Sequence, residues 1–302
     1  MKKLIFFGLM CRTLNTYMNL GFGALVLCLG TFSPVSAQSV QSYIFKDRRI
    51  INSWSTEVLP KRVLDFRVSH RFGDLAGVAG GWKTFFGLEN AADISIGVDY
   101  GLLDNVTVGV HRAKGSGPLT QLVNAHVMWR ITTRGIENPA SLGFMAMSTI
   151  STMPKSDNPT ALSFFPKFAH RLLYYGELVG AKKFNEVFSG SLGLNFIHHN
   201  YVQEINQSNL FALTAGIRIQ LSRSFALLGE ATYPISIAEN ETNYHFPLGI
   251  GFEWETGGGH LFQVNLINSR GLSETDYIPY SRSDWTLGGF RLGFTIARKF
   301  RL

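Results

Sequence analysis

The segment GFRLGFTIARKFRL, residues 289–302, decides the fold. Taking every second residue, one face is Phe290, Leu292, Phe294, Ile296, Arg298, Phe300 and Leu302. The other is Arg291, Gly293, Thr295, Ala297, Lys299 and Arg301. Side chains of a strand alternate between its two sides, so the segment is apolar on one face and polar or small on the other. It outruns an ordinary strand of about 5–6 residues. No helix follows it in the sequence to cover the apolar face, and the rest of the chain points to lipid as the cover.

The same period of two recurs upstream. Ala92, Ile94, Ile96, Val98 and Tyr100 alternate with Asp93, Ser95, Gly97 and Asp99. Phe211, Leu213, Ala215, Ile217, Ile219 and Leu221 alternate with Ala212, Thr214, Gly216, Arg218 and Gln220. Phe246, Leu248, Ile250, Phe252 and Trp254 alternate with Pro247, Gly249, Gly251, Glu253 and Glu255. A helix would mix these two sets on one stripe. Twelve strands are predicted: 61–72, 91–101, 105–113, 119–131, 139–151, 168–184, 187–198, 210–221, 224–233, 245–255, 260–268 and 289–302. Most are about 9–13 residues long, as a strand needs to cross a bilayer at a tilt. Strands of a soluble sandwich are too short to sustain such parity. The predicted fold is all-β: a single antiparallel up-and-down transmembrane β-barrel over 58–302, which leaves no unpaired edge in lipid.

Connection lengths agree. Short turns (102–104, 185–186, 222–223, 256–259) alternate with long ones (73–90, 152–167, 199–209, 234–244, 269–288), with 114–118 and 132–138 blurring the rule slightly, as in outer-membrane barrels with short periplasmic turns and long outer loops. Tyr100, Trp129, Phe184, Tyr233, Trp254 and Phe300 fall near strand ends and suit interfacial girdles.

Composition agrees as well. Of 302 residues only 16% are charged, while phenylalanine (24) and glycine (31) are abundant. Residues 1–37 read as a signal peptide. Lys2, Lys3 and Arg12 precede the apolar run 20–32, and Val35-Ser36-Ala37 forms a small-residue site cut after Ala37. Met10 and Met18 are alternative starts, and a start at Met10 would keep Arg12 and give a more usual signal length. The apolar run is too short to span a membrane. Both cysteines, Cys11 and Cys28, fall inside this segment, so no disulfide or thiolate site is expected beyond it. Losing its three basic residues lowers the net charge from +7 to +4. That excess is spread out, without the basic block that nucleic-acid binding needs.

Several stretches together carry a resemblance: IFKDRRIIN (44–52), STEVLPK (55–61), FRVSHRFG (66–73), GLENAADI (87–94), AKKFN (181–185) and ETGGGHLFQ (255–263). The chain resembles an uncharacterised β-barrel family of Bacteroidetes-type bacteria, domain of unknown function 5777, from about Tyr43 to Leu302. The resemblance implies an outer-membrane barrel and supplies no activity, substrate or catalytic residue.

On this reading the second parity lines the lumen. The candidates are Asp65, Arg67, Asp93, Asp99, His126, Arg130, Arg171, Glu177, Arg218, Glu230, Glu253 and Arg291, with Arg71 beside them. Both signs occur, so cross-strand ion pairs are expected, either lining a polar conduit or filling a small lumen. Residues 38–57, with Lys46, Asp47, Arg48, Arg49 and Trp54, form a plug or a periplasmic cap. His198, His199, His245 and His260 fit no usual metal-ligand spacing. Gly73–Gly81 is glycine-rich but lacks the strand-loop-helix context of a phosphate loop. No catalytic, cofactor or metal residue is assigned, and Ser163 with His170 or Ser69 with His70 lacks a nucleophile-elbow context.

The expected function is therefore a non-enzymatic, porin-like or structural protein of unknown solute in the outer membrane of a diderm (Gram-negative) bacterium. The alternatives are a barrel enzyme acting on lipid or lipopolysaccharide, and a protein binding partners through outer loop 269–288. Expected partners are outer-membrane lipid, lipopolysaccharide and, during biogenesis, the barrel-assembly machinery.

Overall fold

The computed structural model of the protein describes residues 43–132, 140–202, 208–235, 243–256 and 258–302. The signal-peptide expectation and the start of the N-terminal segment lie outside the described residues. Over the described residues the chain forms twelve strands: β1 (Val63–Phe72), β2 (Ala91–Leu103), β3 (Val106–Ala113), β4 (Leu122–Thr132), β5 (Ala140–Ser151), β6 (Leu172–Lys183), β7 (Phe188–His199), β8 (Asn209–Gln220), β9 (Phe225–Pro234), β10 (Leu248–Glu255), β11 (His260–Ile267) and β12 (Arg291–Arg301). Each pairs antiparallel with its sequence neighbour, and β1 pairs with β12 to close the barrel.

All twelve predicted strands form, within a few residues at their ends. The parity that predicted them is the parity of burial. Along β12, Arg291, Gly293, Thr295 and Ala297 are buried, while Ile296, Arg298 and Phe300 are exposed. Phe66, Val98, Phe196, Phe211 and Phe252 are likewise exposed on the outer wall. Soluble monomers rarely expose apolar patches beyond a few hundred Å². A closed ring with an apolar exterior suits lipid, because every strand finds its backbone partners on both sides.

Register sorts the connections by end. The turns 104–105, 184–187, 221–224 and 258–259 lie at one rim, with the start of β1 and the end of β12. The connections 73–90, 114–121, 152–171 and 268–290 lie at the other. Tyr100, Trp129, Phe184, Trp254 and Phe300 all fall near the short-turn rim, and Tyr233 near the opposite one. One predicted boundary is corrected. Residues 168–171 are not the start of β6 but a 3-10 turn, Phe168–Arg171, on the long-loop rim. Arg171 reaches from it to the carbonyls of Ser151 (3.1 Å) and Met153 (2.5 Å), which fixes the turn against the end of β5.

Candidate functional site

The inside of the barrel is where the polar chemistry lies, and this chain fills it from both ends. Residues 44–59 fold back as a hairpin. Arg49 and Trp54 form an antiparallel bridge, Ser55 N–H donates to Arg48 O (2.8 Å), and Ile50 N–H donates to Ser53 O (2.9 Å). The turn is thus 50–53. Ile44, Phe45, Ile50, Ile51, Trp54 and Leu59 are almost fully buried, as are the polar Asp47, Arg48, Asn52, Ser53 and Ser55. Buried polar groups of this kind persist only when paired.

Their partners come from walls around the ring. At the hairpin tip the Glu230 carboxylate on β9 accepts from the backbone N–H of Ile51 (3.1 Å), Asn52 (2.9 Å) and Ser53 (3.0 Å), and from the Ser53 hydroxyl (2.8 Å). Arg71 on β1 donates to Asn52 Oδ1 (2.8 Å) and Asn265 Oδ1 on β11 (2.7 Å). Lower down, Arg67 grips Asp47 through both of its terminal nitrogens (2.8 and 2.5 Å). Arg48 bridges Asp65 on β1 and Asp99 on β2 (2.8 Å to Asp99). Two-pronged, charge-assisted bonds are stronger than neutral ones and fix orientation. Gly216 on β8 has no side chain where the Ile50 methyl group packs, so any larger residue there would collide with the hairpin.

From the long-loop end, connection 268–290 also folds inward. Ser269, Ser273, Thr275, Tyr277 and Ile278 are almost fully buried, around the single turn α1 (Glu274–Tyr277). Glu274 pairs with Arg49 of the hairpin (2.6 Å), whose guanidinium also lies over the Trp54 ring (3.9 Å). The Thr275 carbonyl lies 3.2 Å from His199 Nε2 on β7. Asp276 accepts from the Ser116 N–H (2.9 Å) and hydroxyl (3.1 Å). This connection was expected to be an outer loop. It turns inward because its polar residues find partners on the inner wall and on the hairpin.

Charges outside the strands respond to this burial. Burial pushes the Asp276 carboxyl up to about 7. Burial also raises Glu57, despite the N–H groups of Ile44 and Phe45 that its carboxylate accepts. Burial would raise Asp47 too, but Arg67 and Arg48 hold it below the usual carboxylate range.

The predicted lumen residues sort by what they touch. Asp65, Arg67, Asp99 and Glu230 bind the hairpin. Arg130 donates to Asp104 O (3.0 Å) and lies 3.9 Å from Glu57. Arg218 and Glu253 pair with each other (2.9 Å). Asp93 accepts from Gly115 N–H (2.9 Å) and Leu272 N–H (2.8 Å), tying two connections together. Arg291 donates to Asn268 O (2.8 Å) and Ser283 Oγ (2.7 Å), anchoring connection 268–290. Glu177 lies 2.8 Å from the Tyr175 hydroxyl, which is also 2.7 Å from Asn195 Oδ1. His126 lies 2.8 Å from Asp99. Arg171 is the exception, sitting at the rim.

His111, Tyr175, Asn195, Gln263 and Asn265 share the inner parity but went unnamed in the sequence reading. So did Glu274 and Asp276, which lie in a connection that parity does not reach. The serine–histidine pairings raised above do not form. Ser69 Oγ bonds Thr295 Oγ1 (2.9 Å), and His170 Nδ1 accepts from Lys167 N–H (3.4 Å). His198 bonds Asn209 and Asn200, whereas His199 faces Thr275, so those neighbours point to different partners.

The family described as a membrane bound beta barrel domain (domain of unknown function 5777) matches residues 45–300, and the chain belongs to it. No curated protein matches significantly. Similar solved structures include the NanC porin, 9% identical, with a TM-score of 0.49 over 79% of this chain and 100% of that one. The KdgM porin is 8% identical, with a TM-score of 0.45 over 80% and 99%. An outer membrane channel from Pseudomonas putida F1 is 15% identical, with a TM-score of 0.46 over 81% and 98%.

Proposed function

We propose that this member of the membrane-bound β-barrel family is a non-enzymatic outer-membrane barrel of a diderm bacterium, porin-like in architecture and held shut by its own N-terminal segment. One observation carries the reading. Residues 44–59 sit inside the ring, bonded to β1, β2, β9 and, through Leu59 N–H to Thr107 Oγ1 (2.8 Å), β3. A cavity of about 20 Å³, the room of one water, lies between the hairpin tip and the walls of β1–β5, and a second of about 230 Å³ lies at the short-turn end beside Tyr43, Glu57 and Lys299. The seated hairpin stands across the path a solute would take. On this reading the barrel stands as a structural element or a closed conduit. Its outer wall meets lipid and lipopolysaccharide, and the assembly machinery inserts it after the leader is cut behind Ala37.

Planar-bilayer recording tests the proposal. The intact protein should give no steady conductance, and a chain lacking residues 43–57 should conduct. Steady ion flow through the intact protein would overturn the closed reading. Membrane fractionation together with N-terminal sequencing of the mature chain tests the location and the cut before Gln38.

A further inference from the structure

The carboxylate of Asp99 on β2 faces two imidazoles from the next two strands. His111 Nε2 on β3 lies 3.0 and 3.1 Å from its two oxygens, and His126 Nε2 on β4 lies 2.8 Å from Oδ1. The register builds the group. Asp99 pairs with Gly109, Gly109 pairs with His126, and His111 stands two residues further along β3 on the same inner face. Gly109 is what lets them meet, because a side chain there would occupy the space of Asp99 Oδ1 and the His126 ring. We propose that Asp99, His111 and His126 form a binding site for one first-row divalent metal ion, zinc in the first instance, on the inner wall of the barrel.

Four observations lead there. The three ligand atoms lie within 4.8 Å of one another, on residues that are all buried. Two imidazole nitrogens and a carboxylate oxygen are the donor set that zinc accepts with a fourth, exchangeable ligand. His126 Nε2 is buried and close to Oδ1 but makes no well-directed hydrogen bond with it, an arrangement a shared cation would satisfy. The cavity of about 20 Å³ is bordered by both histidines, so a water fits as the fourth ligand. Asp47, Asp65 and Asp99 share the guanidinium groups of Arg48 and Arg67 in direct ion pairs, and Lys299 also acts on Asp47. Arg48 bonds Oδ2 of Asp99 and leaves Oδ1 to the metal, the outer-shell role that orients a ligating carboxylate. Because Arg48 belongs to the hairpin, the site also joins the inner segment to the wall.

The test uses the full chain in detergent, purified through a tag without histidines, stripped with chelator and titrated with zinc chloride. Elemental analysis after desalting should find about one zinc per chain. H111Q and H126Q should each weaken binding by about tenfold or more, whereas H198Q should not. Cobalt in place of zinc should give the visible absorption of a tetrahedral site, and H126Q should lose it. No retained zinc in the unaltered chain would overturn the proposal and leave a histidine–aspartate pair alone. Equal retention by the H111Q/H126Q double variant would overturn it too. The first arm needs no variant, so a substitution that fails to fold does not remove the test.

Discussion

Glu230 is the residue from which the inner hairpin hangs. Its carboxylate takes three consecutive backbone N–H groups and a hydroxyl at the turn, all buried. Replacing it by glutamine puts an amide donor among donors. Glu230→Gln should therefore lower stability by about 2–4 kcal/mol, read from urea midpoints in detergent; an unchanged midpoint would mean the tip is held elsewhere. Parity alone placed Glu230 inside, but parity names a face and not what fills it. A clue was present in Gly216, a glycine on the inner face of a strand where Ile50 now packs. Asp276 gives a pH dependence. Its docked value of about 7 lies above the usual ~3.9 of a free carboxyl, so the docked connection binds the extra proton. Docking is strongest below about pH 4 and weakens as pH rises through about 7. Amide exchange across 272–278, corrected for intrinsic rates, should be faster at pH 8 than at pH 5, and Asp276→Asn should remove the difference.

At the scale of the element, the strands were the most legible part. Each alternates because lipid and a polar interior press on opposite faces, and a shift by one residue would exchange them. Strand ends were less legible. Burial pattern fades at the rims, and at Arg171 hydrogen bonds to carbonyls decide the turn. The closing strand β12 offers a direct check. Phe294→Arg places a charge on the outer wall at a cost of about 2–4 kcal/mol near the bilayer midplane, and should impair assembly, seen as loss of the heat-modifiable folded band on gels. Thr295→Arg behaves differently. Thr295 is buried against Ser69 in a filled interior, so arginine there should displace the hairpin and speed protease cleavage within 43–57 while the barrel still forms.

At the scale of the whole molecule, the sequence showed a ring and left its contents open between plug and rim cap. The inward course of connection 268–290 was hidden, because a polar loop reads alike whether water or a polar wall solvates it. With both ends occupied, deletion of 43–57 should open a conductance that grows when connection 268–290 is shortened as well. Equal conductance from the two constructions would show that the connection does not obstruct the path. The hairpin constrains the order in which the barrel assembles. It precedes β1 in the chain, yet its bonds reach β9 and β11, and the ring is sealed only when β12 meets β1. A vessel sealed by its first and last staves must receive its contents before sealing or through an open mouth. If the hairpin goes in first, it serves as a mandrel around which the later strands are wound. Peptide 43–58 added during refolding of a chain that lacks it should then restore the folded yield, whereas the same peptide added after closure should not.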